Sequence, residues 1–342
     1  MKKTAILGVS GYVGQRFVQM LYDHPDFDLE MLTGKKNVGK ELKNVWTLRD
    51  SSVPEELGDM EIERCNTVNM SDIAKRIDVA FSALPSEISM DIETFLAENG
   101  VKVFSNSSTM RMDAIIPLVV PEVNGKDLEL VKEQESYRSN GGCIIKNPNC
   151  SATGLVLSLK PIDELCGLTM VNVVTSQALS GAGKDAYPGE EMIDNVIPYI
   201  QSEEEKIARE SKKLLHKPDL VLSASCNRVP VTDGHMEDVQ VRVENQIDLK
   251  ELKQYMRKFD PLKDYDLHSS PKQVLYVFDE ENRPQPRLDR TKGNGMTVSV
   301  GRLRKDDIFD FKYVTLIHNT VKGAAGGSVL NAELFYAMGL GD

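Results

Sequence analysis

Cys150 ends the polar run Asn147-Pro148-Asn149 and precedes the apolar stretch SATGLVLSL. A cysteine that only fills a core would sit inside an apolar segment. This one stands where a helix is expected to begin. There the helix dipole and free N–H groups stabilise a thiolate and can also bind an oxyanion. The other thiols, Cys65, Cys143, Cys166 and Cys226, lack that setting. Five cysteines without CxxC spacing argue against a disulfide framework and against structural zinc. A nucleophilic thiol needs a proton acceptor. Of the five histidines, His235 stands out in NRVPVTDGH, in a turn between two expected strands and seven residues after Arg228. An imidazole and a guanidinium at one turn can serve a proton transfer and an anionic group. The same pattern also fits a turn histidine beside a surface arginine.

Two further sets of residues bear on anions. Arg111 follows Ser107, Ser108 and Thr109 in a loop after an expected strand, which makes a candidate phosphate cradle. Glu203 and Lys206 lie one helical turn apart in SEEEKIARESKK, and on physics alone they read as a solvated i,i+3 pair.

The elements that must hold these groups begin at the N-terminus. Thr4–Val9 reads as a strand, Gly8, Gly11 and Gly14 as a glycine turn, and Val13 onward as an amphipathic helix that stops before Pro25. FDLEMLTGKK supplies a second strand. Strand, glycine turn, helix and strand make the dinucleotide-binding pattern, in which the pyrophosphate meets free N–H groups at the helix start. The candidate cofactor residues there are Gly8, Ser10, Gly11, Tyr12, Val13 and Gly14. The second strand ends in Thr33, Lys35 and Lys36 rather than in an acid. Two ammonium groups favour a 2′-phosphate, hence NADP over NAD; the alternative is a pair of solvated lysines. A later strand, IDVAFSALPSE, places Ser82, Ala83, Leu84 and Pro85 at another carboxyl end, where ligands of doubly wound sheets gather.

After Cys150 the pattern changes to long strands of period-two alternation, separated by SEEEKIARESKKLL and DLKELKQYMRKF, both helical. This fits an α+β domain with a mixed sheet and helices on one face. A chain of 342 residues suggests two domains. Its net charge of -11 argues against nucleic acid or an anionic membrane as partner. No apolar run reaches the roughly 18 residues of a membrane span, and the expected compartment is the cytoplasm. A thiol, a base, arginines and a nicotinamide cofactor together suggest one chemistry: the thiolate takes an activated acyl group, and hydride then reduces the thioacyl enzyme to an aldehyde.

GVSGYVG, SNSSTMRMD, PLVVPEVN, NPNCSA, SQALSGAG, NRVPVTDGH and HNTVKGAAGGSVLNAEL, spread over nearly the whole chain, resemble the aspartate-semialdehyde dehydrogenase family of archaeal and fungal type. Ser151-Ala152 departs from the Ser or Thr pairs common there. The resemblance implies an NADP-binding Rossmann domain of residues 1–149 completed by 320–342, and a catalytic and dimerisation domain of residues 150–319. It makes Cys150 the nucleophile, His235 the acid/base, and Gln177 a partner of the reacting carbonyl. Arg228 would bind the substrate carboxylate and Glu203 its amino group; Arg111, Lys206 and Asn149 would serve the phosphate. Ser180 and Gly181 would bind the cofactor, and Asn319 would approach the nicotinamide. The implied reaction interconverts L-aspartyl 4-phosphate and L-aspartate 4-semialdehyde plus phosphate, in a homodimer or homotetramer, on the route to lysine, methionine and threonine. Malonyl-CoA and succinyl-CoA reductases share the motifs and remain an alternative, as does, remotely, a non-catalytic NADP-binding sensor.

Overall fold

The computed structural model of the protein describes residues 1–66, 69–184 and 192–341. Six strands build a first sheet: β1 (Lys2–Leu7), β2 (Phe27–Gly34), β3 (Ile62–Arg64), β4 (Val79–Ser82), β5 (Lys102–Ser105) and β6 (Cys143–Lys146). They pair in parallel in the order β3-β2-β1-β4-β5-β6. The crossovers carry α1 (Tyr12–Leu21), α2 (Met70–Arg76), α3 (Ser86–Glu98), α4 (Pro121–Asn124) and α5 (Glu135–Asn140). Helices cover both faces, so β4 and β6 are buried at every position and show no alternation. One face packs Phe17, Phe27, Phe81 and Phe104; the other packs Leu7, Ile73, Leu96 and Val103. Strand order reverses between β1 and β4. Their carboxyl ends carry the glycine turn and the Ser82–Pro85 segment, at the crevice where such sheets bind ligands.

The second sheet is mixed. It contains β7 (Leu168–Gln177), β8 (Val221–Arg228), β9 (His235–Val243), β10 (Leu275–Val277), β11 (Val298–Lys305) and β12 (Phe311–Ile317), in the order β10-β11-β12-β9-β7-β8. Pairs β7/β8 and β10/β11 are parallel, and the other three are antiparallel. Alternate residues such as Val173, Val239 and Val300 face α6 (Cys150–Cys166), α7 (Glu203–Leu214) and α8 (Leu249–Lys258). The helices meet them with Leu155, Leu159, Ile207, Leu214, Leu252 and Met256. The short α9 (Pro286–Asp289) lies in the long connection from β10 to β11. The expected α/β architecture, with a mixed second sheet helix-covered on one face, is observed.

The chain then returns to the first sheet. A π-turn, Val321–Ala325, leads into α10 (Gly326–Ala337). Val329, Leu330, Leu334 and Phe335 join the cluster that contains Ile6, Phe17 and Phe81. The expected small-residue helix therefore forms and is buried almost all round. Its opening is wider than an α-helix, with Gly323 N–H donating to His318 O at 3.1 Å and Ala325 N–H to Thr320 O at 3.3 Å. Among the described residues no helix is long and apolar enough to cross a membrane.

Candidate active site

The candidate site is built from the ends of four elements. Gln177 and Arg228 are the last residues of β7 and β8 and lie opposite each other in register. His235 opens β9, which runs antiparallel to β7, and Cys150 opens α6. Cys150 is half-buried, whereas the other four cysteines are buried. The helix start differs from the expectation in one respect. Its first N–H groups are not free, because Asn149 Oδ1 accepts from Ser151 N–H at 3.0 Å and from Ala152 N–H at 3.1 Å. Burial, followed by the Glu203 carboxylate, pushes the Cys150 thiol up to about 12, against the pull of Arg228, Arg111 and the Ser151 N–H. Cys150 therefore rests as a thiol, because desolvation outweighs the helix dipole here.

His235 is fully buried, and Ala178 N–H donates to its Nδ1 at 3.0 Å. That contact leaves Nδ1 bare and puts the neutral ring's proton on Nε2. Nε2 has no partner among the described residues. Burial first, and then Arg228 and His318, hold the imidazole well below its usual range, so it is neutral at pH 7. Gly181 lies over this ring: a Cβ there would stand 2.8 Å from His235 Nε2 and 3.1 Å from Arg228 Nη1. Arg228 is 2% exposed and donates through Nη1 to Ala178 O at 2.6 Å. A cavity of about 570 Å³ lies beside it, lined by Gly181, Tyr199, Gln201, Glu203 and Arg228.

Glu203 and Lys206 do form an ion pair, at 3.3 Å, but Glu203 is not a solvated side chain. Its Oε2 accepts from Asn149 Nδ2 at 2.8 Å and from Gln177 Nε2 at 3.4 Å. Arg111 is buried; it donates to Glu210 Oε1 at 3.0 Å and to Asn106 O at 2.7 Å. Glu210 Oε2 in turn accepts from Asn149 N–H at 2.6 Å. One face of α7 thus reaches both Asn149 and Arg111. Glu210 escaped the sequence reading, although the spacing 203, 206, 210 follows one helical stripe.

The glycine turn separates structural need from room for a ligand. Gly8 has φ +89°, and a Cβ on it would meet Ala83 O at 2.8 Å. A Cβ on Gly14 would stand 2.3 Å from Gly8 O. Gly11 has neither constraint, since its φ is -84° and its nearest neighbour would be Gly8 O at 3.9 Å. Among the described residues nothing requires a glycine there, which leaves room for the close approach of a dinucleotide pyrophosphate. Ser10 Oγ is buried beside it without a partner among the described residues. Tyr12 and Val13 begin α1, and Ser82 to Pro85 lie at the carboxyl end of β4. Thr33 is turned inward: its hydroxyl bonds Ile6 O, while its carbonyl holds the N–H groups of Gly8 and Val9. Lys35 and Lys36 are exposed beyond it. A cavity of about 410 Å³ brings Tyr12 and Arg16 of the first domain together with Ser180, Asp233 and Arg290. Asn319 borders this region by bonding Ser180 Oγ at 2.9 Å and Gly234 N–H at 2.8 Å. The larger cavity, about 940 Å³, runs along α1 past Gln19 and Met20 and touches none of Cys150, His235 or Arg228.

Glu237, two residues after His235 on the same face of β9, also lay outside the sequence reading. It is fully buried, and neither carboxyl oxygen has a partner among the described residues. Burial raises its carboxyl well above the usual range, so it is held as the neutral acid.

Comparison with known proteins places the chain in a family. The model of the semialdehyde dehydrogenase NAD binding domain matches residues 3–131, and that of the dimerisation domain matches residues 159–322. An aspartate-semialdehyde dehydrogenase from Archaeoglobus fulgidus is 46% identical over 339 residues, covering 96% of both chains. One from Schizosaccharomyces pombe is 38% identical over 359 residues, covering 99% of both. The crystal structure of aspartate-semialdehyde dehydrogenase with NADP from Candida albicans superposes with a TM-score of 0.88, at 37% identity and 99% coverage of each chain. With both of its domains matched and relatives aligned end to end, the chain belongs to the aspartate-semialdehyde dehydrogenase family.

Proposed function

We propose that the chain catalyses the reversible, NADP-dependent reductive dephosphorylation of L-aspartyl 4-phosphate to L-aspartate 4-semialdehyde, through a thioacyl enzyme on Cys150. The observation that carries this reading is the arrangement around Glu203 and Gly181: Gln177 and Asn149, the neighbour of Cys150, both bond Glu203, while Arg228 lies opposite Gln177 and faces His235 under Gly181. The sulfur attacks the acyl carbon and phosphate leaves with the C–O bond. His235 takes the thiol proton at Nε2, which requires the tautomer with Nδ1 protonated, so the Ala178 N–H contact opens as the proton moves. Bound NADPH supplies the hydride that reduces the thioacyl carbon. Gln177 and the imidazole N–H donate to the oxyanion formed there. Its collapse breaks the C–S bond and releases the aldehyde, and His235 returns its proton to the departing sulfur.

Arg228 holds the substrate carboxylate with a planar fork, and Glu203 pairs with the ammonium group. Arg111, Lys206 and Asn149 serve the phosphate. Gly11 and Ser10 cradle the cofactor pyrophosphate, with Lys35 and Lys36 on its 2′-phosphate. Ser180, Gly181 and Asn319 flank the nicotinamide. The domains divide at residues 149/150 and again at 319/320. The partly apolar open face of the second sheet favours a homodimer or homotetramer, and the compartment is the cytoplasm.

The test is turnover of purified protein followed by nicotinamide absorbance. Oxidation of L-aspartate 4-semialdehyde that depends strictly on phosphate and NADP is expected. Turnover of malonyl-CoA or succinyl-CoA with no phosphate-dependent reaction would overturn the substrate. Undiminished turnover by Cys150→Ala would overturn the thioacyl mechanism.

A further inference from the structure

We propose that Glu122 and Lys322 are a positioning pair for Cys150: their buried ion pair holds the π-turn against the nucleophile and sets the placement of its sulfur. Lys322 Nζ stands 2.5 Å from Glu122 Oε1, and both side chains are fully enclosed. The partners lie 200 positions apart, one in Pro121–Asn124 and one in Val321–Ala325, two stretches to which the reaction assigns nothing. Desolvating two charges is costly, and an apolar pair of similar volume would give equal or better cohesion. The pair therefore needs a reason other than stability, and its neighbours supply one.

Gly323 follows Lys322 and lies so close to the nucleophile that a Cβ on it would stand 2.8 Å from Cys150 Cβ. Asn147, in the loop before Cys150, donates through Nδ2 to Gly323 O at 3.3 Å. A Cβ on Gly327 would press on Asn147 Oδ1 at 2.5 Å. The turn therefore covers both the nucleophile and the loop that carries it. On the other side, the segment leading to Glu122 grips the same loop at its base. Lys146 N–H donates to Pro117 O at 2.8 Å, and Val119 N–H donates to Lys146 O at 3.0 Å. Val119 O also accepts from Asn331 Nδ2 of α10 at 3.0 Å. Residues 117–122 thus hold the base of the Cys150 loop and the covering turn at once, and the ion pair closes that ring. Its fixed length transmits the position of β6 to Gly323, and so to the sulfur. An α-helical start to α10 would space these residues differently; π-turns recur at functional sites.

The inference rests on Cys150 being the nucleophile, so the test reads the thiol as well as turnover. Glu122→Leu combined with Lys322→Met replaces the pair by apolar groups. The expected result is an unfolding midpoint at or above wild type, with unchanged KM and NADPH dissociation constant. kcat falls roughly 10- to 100-fold, as a misplaced reacting atom requires. Alkylation of Cys150 by iodoacetamide speeds up, because the released turn uncovers the sulfur. Wild-type kcat and alkylation at an unchanged midpoint overturn the proposal. So does a loss of kcat, KM and midpoint in step, which marks a merely structural clamp. Should the double variant fail to fold, Glu122→Asp is held to the same criteria, since it keeps the charge and withdraws it by one methylene. Should the acyl-phosphate reading fail with the wild-type enzyme, the alkylation rate alone decides, and an unchanged rate overturns the pairing.

Discussion

In the free protein Cys150 is held as the thiol. Cys150 begins a helix, yet burial and Glu203 outweigh the dipole and the two arginines, and Asn149 has already taken the nearby N–H groups. Free enzyme should therefore react slowly with iodoacetamide at neutral pH. A thiol held up to about 12 gains thiolate roughly tenfold per unit as pH rises. The rate should climb from about pH 7 to about pH 10 without levelling off; a plateau near an ordinary thiol value of about 8.5 would show that the thiolate is stabilised after all. Arg228 is the companion case. It is 2% exposed and anchored on Ala178 O, so its guanidinium is fixed in the free protein. Arg228→Lys keeps the charge and loses the fork, and kcat/KM should fall roughly 10- to 100-fold, the worth of a charged hydrogen bond. Unchanged kinetics would remove Arg228 from the carboxylate site. Both residues were legible in the sequence by type and framing. The protonation state was not, because it depends on burial and on a capping side chain that only the fold brings into place.

At the scale of elements, the glycine turn and β9 each hide a distinction that spacing cannot make. Gly8, Gly11 and Gly14 look equivalent in sequence, but only Gly11 lacks a protein contact that excludes a side chain. Gly11→Ala should leave the unfolding midpoint unchanged and weaken NADPH binding about tenfold, by crowding the pyrophosphate. Gly14→Ala should lower the midpoint itself. Equal midpoints for the two variants would contradict this division. On β9 the alternation that marks a strand also hid Glu237, an acid at an inward position. Its folded pKa lies above the ordinary 4.5, so the folded chain keeps a proton that the unfolded chain releases. Stability from this group is intact below that ordinary value and is lost as pH rises toward the folded value. Glu237→Gln removes the penalty. Its unfolding midpoint should exceed wild type by roughly 2–4 °C per kcal/mol regained at neutral pH, and the gap should close near pH 4. A gap independent of pH would mean that Glu237 is ionised in the fold. Strands and helices were readable because burial imposes periods of two and 3.6. The π-turn was not, since VKGAAGG has no side-chain pattern to reveal an i→i+5 bond, and neither were the partial enclosure of Glu203 and the burial of Glu210, which bond Asn149 and Arg111.

For the molecule as a whole, the described residues pack helices on one side of the second sheet only. The opposite side should be watery and polar, and Asn172, Asp238 and Arg242 fit that. Met170, Val174, Met236 and Val221 share it, with Val174 at 37% and Val221 at 55% exposed. An antiparallel face left to solvent normally alternates cleanly to polar residues, so apolar groups on three adjacent strands suit a second copy seated there. This agrees with the family model of a dimerisation domain over residues 159–322. A two-fold contact would place the same strands of both copies against each other. Lysine at Val174 and Met236 would then set like charges face to face across the axis, repeated by symmetry. The double variant Val174→Lys/Met236→Lys should sediment as a monomer at concentrations where the wild type is a dimer or larger. Neither position contacts the inner face that carries Gln177, Arg228 and His235, so the fold of each chain should persist in circular dichroism. If the variant sediments like the wild type, the contact lies elsewhere, and these exposed valines and methionines are ordinary surface.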